Sequence, residues 1–254
     1  MDQSKGVGRV AIMAAMPEEL SALLAAMPDA RAVMRAGRAF WLAQWCGHEV
    51  VAVLSRIGKV AAATTTTLLL SEFGVSRVLF TGVAGGLAPG VRVGDVVVAD
   101  ALLQHDMDAS PLFPRYELPG LGLARLRADE SLRVLVAQAA AEALQAEAYG
   151  EARPMVHQGL VISGDIFVDT SAESQALRTA LPDALAVEME GAAVAQVCHD
   201  FGVPCAVIRT ISDRADDAAH VDFQQFVAEV ASHYSLVVVE AVLKRLPVDS
   251  VDLV

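Results

Sequence analysis

Short, nearly continuous apolar runs rich in Val, Ile and Leu recur along the chain, at residues 10–13, 77–80, 95–99, 156–162, 185–187 and 205–211. A strand that is apolar on both faces has no side to show to water, so it belongs in a sheet covered above and below. Helix-length stretches separate these runs at 18–27, 58–73, 129–148, 171–181, 190–200 and 222–245. Gly74 and Gly202 stand where two of them should stop, and Asp129 stands where one should be N-capped. Asp222 and Gln225 make a capping-box-like start to the last helix, with Lys244 and Arg245 at its end. Residues 40–44 and 50–54 flank Gly47 and His48 as a hairpin. The run Thr64 to Thr67 sits between alanines and leucines and reads as helix interior. Strands alternating with helices predict an α/β fold: a single domain with a mixed, mostly parallel central sheet flanked by helices.

Size and charge narrow the function. With 254 residues and 54 % hydrophobic side chains, the chain can bury a sizeable core. No linker divides it, so one domain is expected over 10–246, with a flexible segment at 1–9 and a tail at 247–254. Asp and Glu number 31 against 19 Lys and Arg, a net charge of −12 without a basic block. Such a chain is a poor polyanion binder, so no nucleic-acid partner is expected. Cys46, Cys198 and Cys205 show no paired spacing, which argues against a disulfide scaffold or a structural zinc. The apolar stretch at 10–27 carries Glu18 and Glu19, unlike a signal segment or a membrane span. A cytoplasmic protein without a metal, a cofactor or a membrane partner is the expectation.

In open α/β sheets, ligands sit beyond the strand ends, so the residues just after each strand matter most. After the first strand comes Met16-Pro17-Glu18-Glu19, and after the 77–80 run comes the glycine-rich Thr81-Gly82-Val83-Ala84-Gly85-Gly86. The later strands end in Ser163-Gly164-Asp165-Ile166-Phe167, Glu188-Met189-Glu190 and Arg209…Ser212-Asp213. Taken singly, most of these have ordinary readings: first-turn acids, a tight glycine turn, and turn or helix caps at Asp165 and Asp213. Glu188 and Glu190 are harder to dismiss, because they stand in an otherwise apolar segment where unpaired acids are costly. His48 reads as a turn residue. His105, beside Asp106 and Asp108, lacks the spacing of a metal site and reads as structural. Converging acids with an Arg, a glycine segment and nearby Met and Phe suit cleavage of a sugar–base bond. That reaction needs an acid for the departing base, a carboxylate near an oxocarbenium-like ribosyl centre and a base for water.

The motifs MAAMPEEL, SRIGKVAAA, TGVAGGL, VGDVVVAD, HDMDAS, GLVISGDIF, VEMEGAAVA and IRTISD occur in this order between about residues 10 and 246. With them the chain resembles the methylthioadenosine/S-adenosylhomocysteine nucleosidases of the nucleoside phosphorylase superfamily. The resemblance implies irreversible hydrolysis to adenine and a 5-thio-substituted ribose, without a cofactor, and a place in methionine salvage. It implies that Glu19 is the general base on water, helped by Arg209, and that Asp213, fixed by Ser212, donates to the purine N7. Met189 and Glu190 would hold the ribose, with Glu190 on its hydroxyls. Phe167 would stack on the purine and Val168 would offer backbone contacts to its edge. Met16, Ile57 and Phe223 would line the ribose and 5-thio pocket. A homodimer is also implied, with part of 108–119 reaching the neighbouring site.

The sequence departs from the family pattern at Val83, where some relatives carry Ser, and in the 109–116 loop. Phosphorolytic relatives use a Gly-Asp-Pro turn and arginines near the glycine segment. This chain has Pro17-Glu18-Glu19 and no Arg within 81–89, which would repel phosphate and favours water as the nucleophile. An aminofutalosine or related adenine-nucleoside hydrolase, a phosphorylase and a non-catalytic nucleoside binder remain as alternatives.

Overall fold

The computed structural model describes residues 8–146, 153–216, 219, 223, 226 and 230–247. In chain order the strands are β1 (Arg9–Ala14), β2 (Arg31–Arg35), β3 (Arg38–Trp45), β4 (His48–Leu54), β5 (Val75–Gly86), β6 (Val96–Gln104), β7 (Leu126–Arg127), β8 (Val156–Ser163), β9 (Ala184–Glu188) and β10 (Cys205–Asp213). The helices are α1 (Pro17–Ala25), α2 (Lys59–Glu72), α3 (Glu130–Ala143), α4 (Ser171–Ala180), α5 (Gly191–Phe201) and α6 (Ser232–Arg245).

The strands form one mixed sheet in the order β10-β6-β8-β9-β5-β1-β4-β3-β2, with β5 pairing β10 as well. That extra pairing closes β5, β10, β6, β8 and β9 into a ring. Within it β5 and β10 are parallel, as are β6–β8 and β8–β9, while both seams, β10–β6 and β9–β5, are antiparallel. The strand ends therefore do not meet along a simple parallel edge. β9 arrives at the end of β5 from the opposite direction, with Gly85 opposite Val187.

Side chains alternate across the sheet with period two. Ala11 and Met13 of β1, Val78 and Phe80 of β5 and Cys205 and Val207 of β10 bury into one layer under α2 and α5. Val10 and Ile12, Leu79, Ala206 and Ile208 face the other layer, under α1, α3 and α6. Burial on both faces explains the near-continuous apolar runs. Asp129 caps α3, accepting from the Leu132 N–H at 2.8 Å. The left-handed Gly202 (φ +65°) ends α5. The Thr64–Thr67 run lies inside α2, each hydroxyl bonded to the carbonyl four residues back.

Several local expectations change. The 81–86 segment is not a turn but the last half of β5. The hairpin turn is Cys46-Gly47, both at positive φ, and His48 starts β4 with its ring buried and Nε2 3.0 Å from the Leu243 carbonyl. The edge strand β2, paired to β3, was not expected. α3 stops at Ala143 and passes into a short 3-10 turn, Leu144–Ala146. The expected helix start at Asp222 and Gln225, and the segments 1–7 and 248–254, lie outside the described residues. Among the described residues no helix is long and apolar enough to cross a membrane.

Candidate active site

A cleft open to solvent lies where β1, β5, β9 and β10 deliver their last residues. Its walls include Met16, Ile57, Val83, Phe167, Val168, Met189, Glu190, Ser212 and Phe223, together with Glu19 and Asp213. Every residue the resemblance placed against substrate is therefore in one cleft. Arg209 is not in its wall but lies behind it.

Glu19 sits in the first turn of α1, and its side chain does two things. Oε2 accepts the N–H groups of Ala15 and Met16 at 2.8 and 2.9 Å, which caps the helix start. Oε1 reaches across to β5 and accepts the Val83 N–H at 3.0 Å. The ordinary helix-cap reading and the functional one thus describe the same carboxylate. Burial pushes its pKa up, against the pull of the Arg209 charge and these three N–H groups.

The glycines of β5 exist for their neighbours. A Cβ on Gly82 would stand 2.8 Å from Glu19 Oε1 and 3.2 Å from Arg209 Nη1. A Cβ on Gly85 would stand 2.9 Å from Asp213 Oδ1. The strand lacks side chains where two acids must pass over it. Val83 contributes to the site through its backbone N–H on Glu19, so that contact survives the Val-for-Ser departure.

Asp213, the last residue of β10, is fully fixed on both oxygens. Oδ2 accepts from the Ser212 hydroxyl at 2.7 Å and Oδ1 from the Ala215 N–H at 2.8 Å. Phe167 and Phe223 meet edge to face, with ring centroids 5.5 Å apart, and Phe167 keeps 40 % of its surface exposed. An exposed ring over a cleft is a surface on which a flat heterocycle can stack.

The Glu188-Met189-Glu190 motif divides its labour. Glu188 borders the cleft but is bound into the framework: Oε2 receives Arg209 Nη2 at 2.8 Å, and its carboxylate also accepts from the Ser163 hydroxyl and the Glu190 and Gly191 N–H groups. Glu190 faces the cleft and has a hydrogen bond from the Gly58 N–H at 2.7 Å. Burial and then the Glu188 charge push its pKa up to about 8, against Arg209 and the Gly58 N–H. Arg209 is accordingly the ion-pair partner of Glu188, not of Glu19, and it acts on Glu19 only through its field. Its guanidinium also lies 4.1 Å over the Phe80 ring.

Ala15, Ala84, Ile166 and Val187 also line the cleft, and none of them was expected from the sequence. Ile166 is 55 % exposed and adjoins Phe167, so an apolar residue beside an assigned ring was the available signal. His105 is buried against Gly164, with burial pushing its pKa down, while Asp106 turns to Lys59 and Asp108 to the Ser110 N–H. These three do not converge on a cation. Asp165 neither faces the cleft nor caps a following helix; it accepts the Lys59 N–H at 2.8 Å.

Residues 9–244 match the phosphorylase superfamily. The chain belongs to this superfamily. It is 41 % identical over 243 residues to a 5′-methylthioadenosine/S-adenosylhomocysteine nucleosidase of Geobacillus thermodenitrificans, covering 94 % of this chain and 97 % of that one. Among solved structures, the nucleosidase of the same name from Neisseria meningitidis, in complex with methylthio-immucillin-A, superposes with a TM-score of 0.86 at 35 % identity, covering 94 % of this chain and 99 % of that one. A futalosine hydrolase of Helicobacter pylori superposes with a TM-score of 0.85, also at 35 % identity and with the same coverage. Within the superfamily this chain therefore sides with nucleoside hydrolases.

Proposed function

We infer that this chain hydrolyses the N-ribosidic bond of 5′-methylthioadenosine and S-adenosylhomocysteine, releasing adenine and the 5-thio-substituted ribose. The observation that carries this reading is the buried Glu19 carboxylate, held by three backbone N–H groups in a cleft that also contains a fixed acid, Asp213. The nucleosidase relatives, one of them holding a methylthio-substituted inhibitor, support the substrate class.

In this mechanism Glu19 takes a proton from water as the water attacks C1′. The C1′–N9 pair leaves with the purine, and Asp213 donates to N7 as negative charge develops there. Raised by burial, Glu19 is a stronger base than an exposed carboxylate. Glu190 holds the ribose hydroxyls beside Met189. Phe167 stacks on the base, with the Val168 backbone at its edge. Met16, Ile57 and Phe223 enclose the sugar and its 5-substituent. Arg209 holds the field that keeps Glu19 and Glu190 ionisable.

The reading includes a cytoplasmic homodimer serving methionine salvage, in which part of 108–119 borders the neighbouring site. Leu112, 83 % exposed, and Ile57, 57 % exposed, are the kind of apolar surface such an arrangement would cover.

Incubation of the purified protein with methylthioadenosine in phosphate-free buffer, followed by chromatography for adenine, tests the reading. Adenine release that added phosphate leaves unchanged is the expected result. Release only with phosphate would make the chain a phosphorylase. The futalosine hydrolase likeness gives a second reading its place; a larger kcat/KM on aminofutalosine than on methylthioadenosine would favour it.

A further inference from the structure

Lys59, Asp106 and Asp165 form a closed ring that no step of the hydrolysis uses. Lys59 opens α2, Asp106 follows β6, and Asp165 lies between β8 and Ile166. Lys59 Nζ donates to Asp106 Oδ1 at 2.6 Å and to Gln104 Oε1 at 3.2 Å. The other Asp106 oxygen accepts the Asp165 N–H at 3.0 Å, and Asp165 Oδ1 accepts the Lys59 N–H at 2.8 Å. The ring thus joins three chain segments at both backbone and side-chain level.

Two of them, around Lys59 and Asp165, carry walls of the cleft. Gly58, next to Lys59, holds Glu190 through its N–H, and Ile57 precedes it. Ile166, Phe167 and Val168 follow Asp165 directly. The fit between the segments is close: a Cβ on Gly58, which sits at φ +95°, would lie 3.2 Å from Asp165 Oδ1. Ile57, Ile166 and Phe167 are each 40 % exposed or more, so apolar burial does little to hold them. Burial pushes the Asp106 carboxyl up, but the Lys59 ammonium and the Asp165 N–H outweigh it and hold it below the usual carboxylate range. The ring ties down walls that the core does not.

We infer that Lys59 and Asp106 are positioning residues that fix the purine-stacking wall at Phe167 relative to the ribose anchor at Glu190, and so set substrate affinity more than turnover. The inference rests on the nucleosidase reading. Neither side chain lines the cleft. A free wall must be ordered each time substrate binds, and that ordering is charged against affinity.

The test compares Lys59→Met, Asp106→Asn, the double variant and Lys59→Arg with the wild-type enzyme, measuring kcat and KM for methylthioadenosine, Kd for adenine by calorimetry and Tm. Each single loss should raise KM and the adenine Kd about tenfold with kcat within about threefold. The double variant should be no worse than the weaker single, because both break one ring. Lys59→Arg, which keeps the charge, should recover most of the affinity. Unchanged KM and Kd in both single variants, or losses that multiply in the double, would overturn the proposal; so would a lowered Tm with unchanged kinetics. If one substitution prevents folding, Lys59→Arg and the remaining single variant decide between these outcomes. Failure of the wild type to release adenine would refute the nucleosidase reading instead, and the adenine Kd would still report on the ring.

Discussion

Arg209 and Glu188 form an ion pair, Nη2 to Oε2 at 2.8 Å, with the side chains 2 % and 3 % exposed. Arg209 also donates from Nη1 to the carbonyls of Phe80 and Ile208, so its charge is fully used inside the protein. Removing one partner of such a pair leaves the other charge buried and alone. Arg209→Met should therefore cost about 3–5 kcal/mol of stability, read by denaturant unfolding. It should also move the acid limb of the kcat/KM profile to higher pH, because the Arg209 charge is what lowers the Glu19 pKa against burial. A variant with wild-type stability would mean that the pair is not what holds the α5 start.

Glu19→Gln should cut kcat by about a thousandfold, the range for loss of a positioned base. The fold should persist, since an amide oxygen can still accept two of the three N–H bonds. In the wild type the general base works when deprotonated, and burial raises its pKa above 4.5. Activity should then fall on the acid side at a pH above the ordinary carboxylate range. Asp213→Asn should be similarly inactive with unchanged Tm. Near wild-type turnover in either variant, measured as adenine release, would remove that residue from the mechanism.

Gly82→Ala should be folded and catalytically poor. Its Cβ would press on Glu19 Oε1 and Arg209 Nη1, at 2.8 and 3.2 Å. Displacing a catalytic group by a fraction of an ångström can cost on the order of a hundredfold in kcat, with overpacking removing about 1–3 kcal/mol of stability. Steady-state kinetics beside thermal unfolding separates the two effects. Full activity in this variant would show that the strand gives way rather than the acid.

Glu190→Gln should change how stability depends on pH. The folded-state pKa is raised from 4.5 to about 8, so folding binds a proton here. The associated stability is present below about pH 4.5 and is lost as pH rises through 8. Replacement by neutral Gln should leave Tm unchanged near pH 4 and raise it relative to wild type by on the order of 5 °C at pH 9. Turnover should drop at the same time, because the amide is a weaker partner for the ribose hydroxyls. A Tm difference that does not vary with pH would place the Glu190 pKa elsewhere.

Much of the fold is legible in the amino-acid sequence. The strands expected at residues 10–13, 156–162 and 205–211 are present because burial on both faces leaves a continuous apolar signature. The β2 strand, Arg31–Arg35, carries no such mark: four of its five residues are exposed, and only pairing with β3 makes it a strand. The glycines at 82, 85 and 86 read locally as a turn, because glycine has no preference for strands. They are extended because β10 and β9 pair with them.

The residue types of the site, and the motifs that carry them, were set by the sequence alone: a local pattern of acids and glycines after apolar runs is a property of neighbours in the chain. Both Glu188 and Glu190 border the cleft, and which of them is bound to an arginine in the framework was decided only by the tertiary structure. Glu188 and Glu190 are two residues apart and chemically alike. Arg209, 21 residues beyond Glu188 in the chain, neutralises the first, while the second takes the Gly58 N–H. The same holds for Lys59, Asp106 and Asp165, which lie on three chain segments and meet only in the folded sheet. Charge pairing depends on distance in space, and chain separation carries no information about that until the sheet has folded.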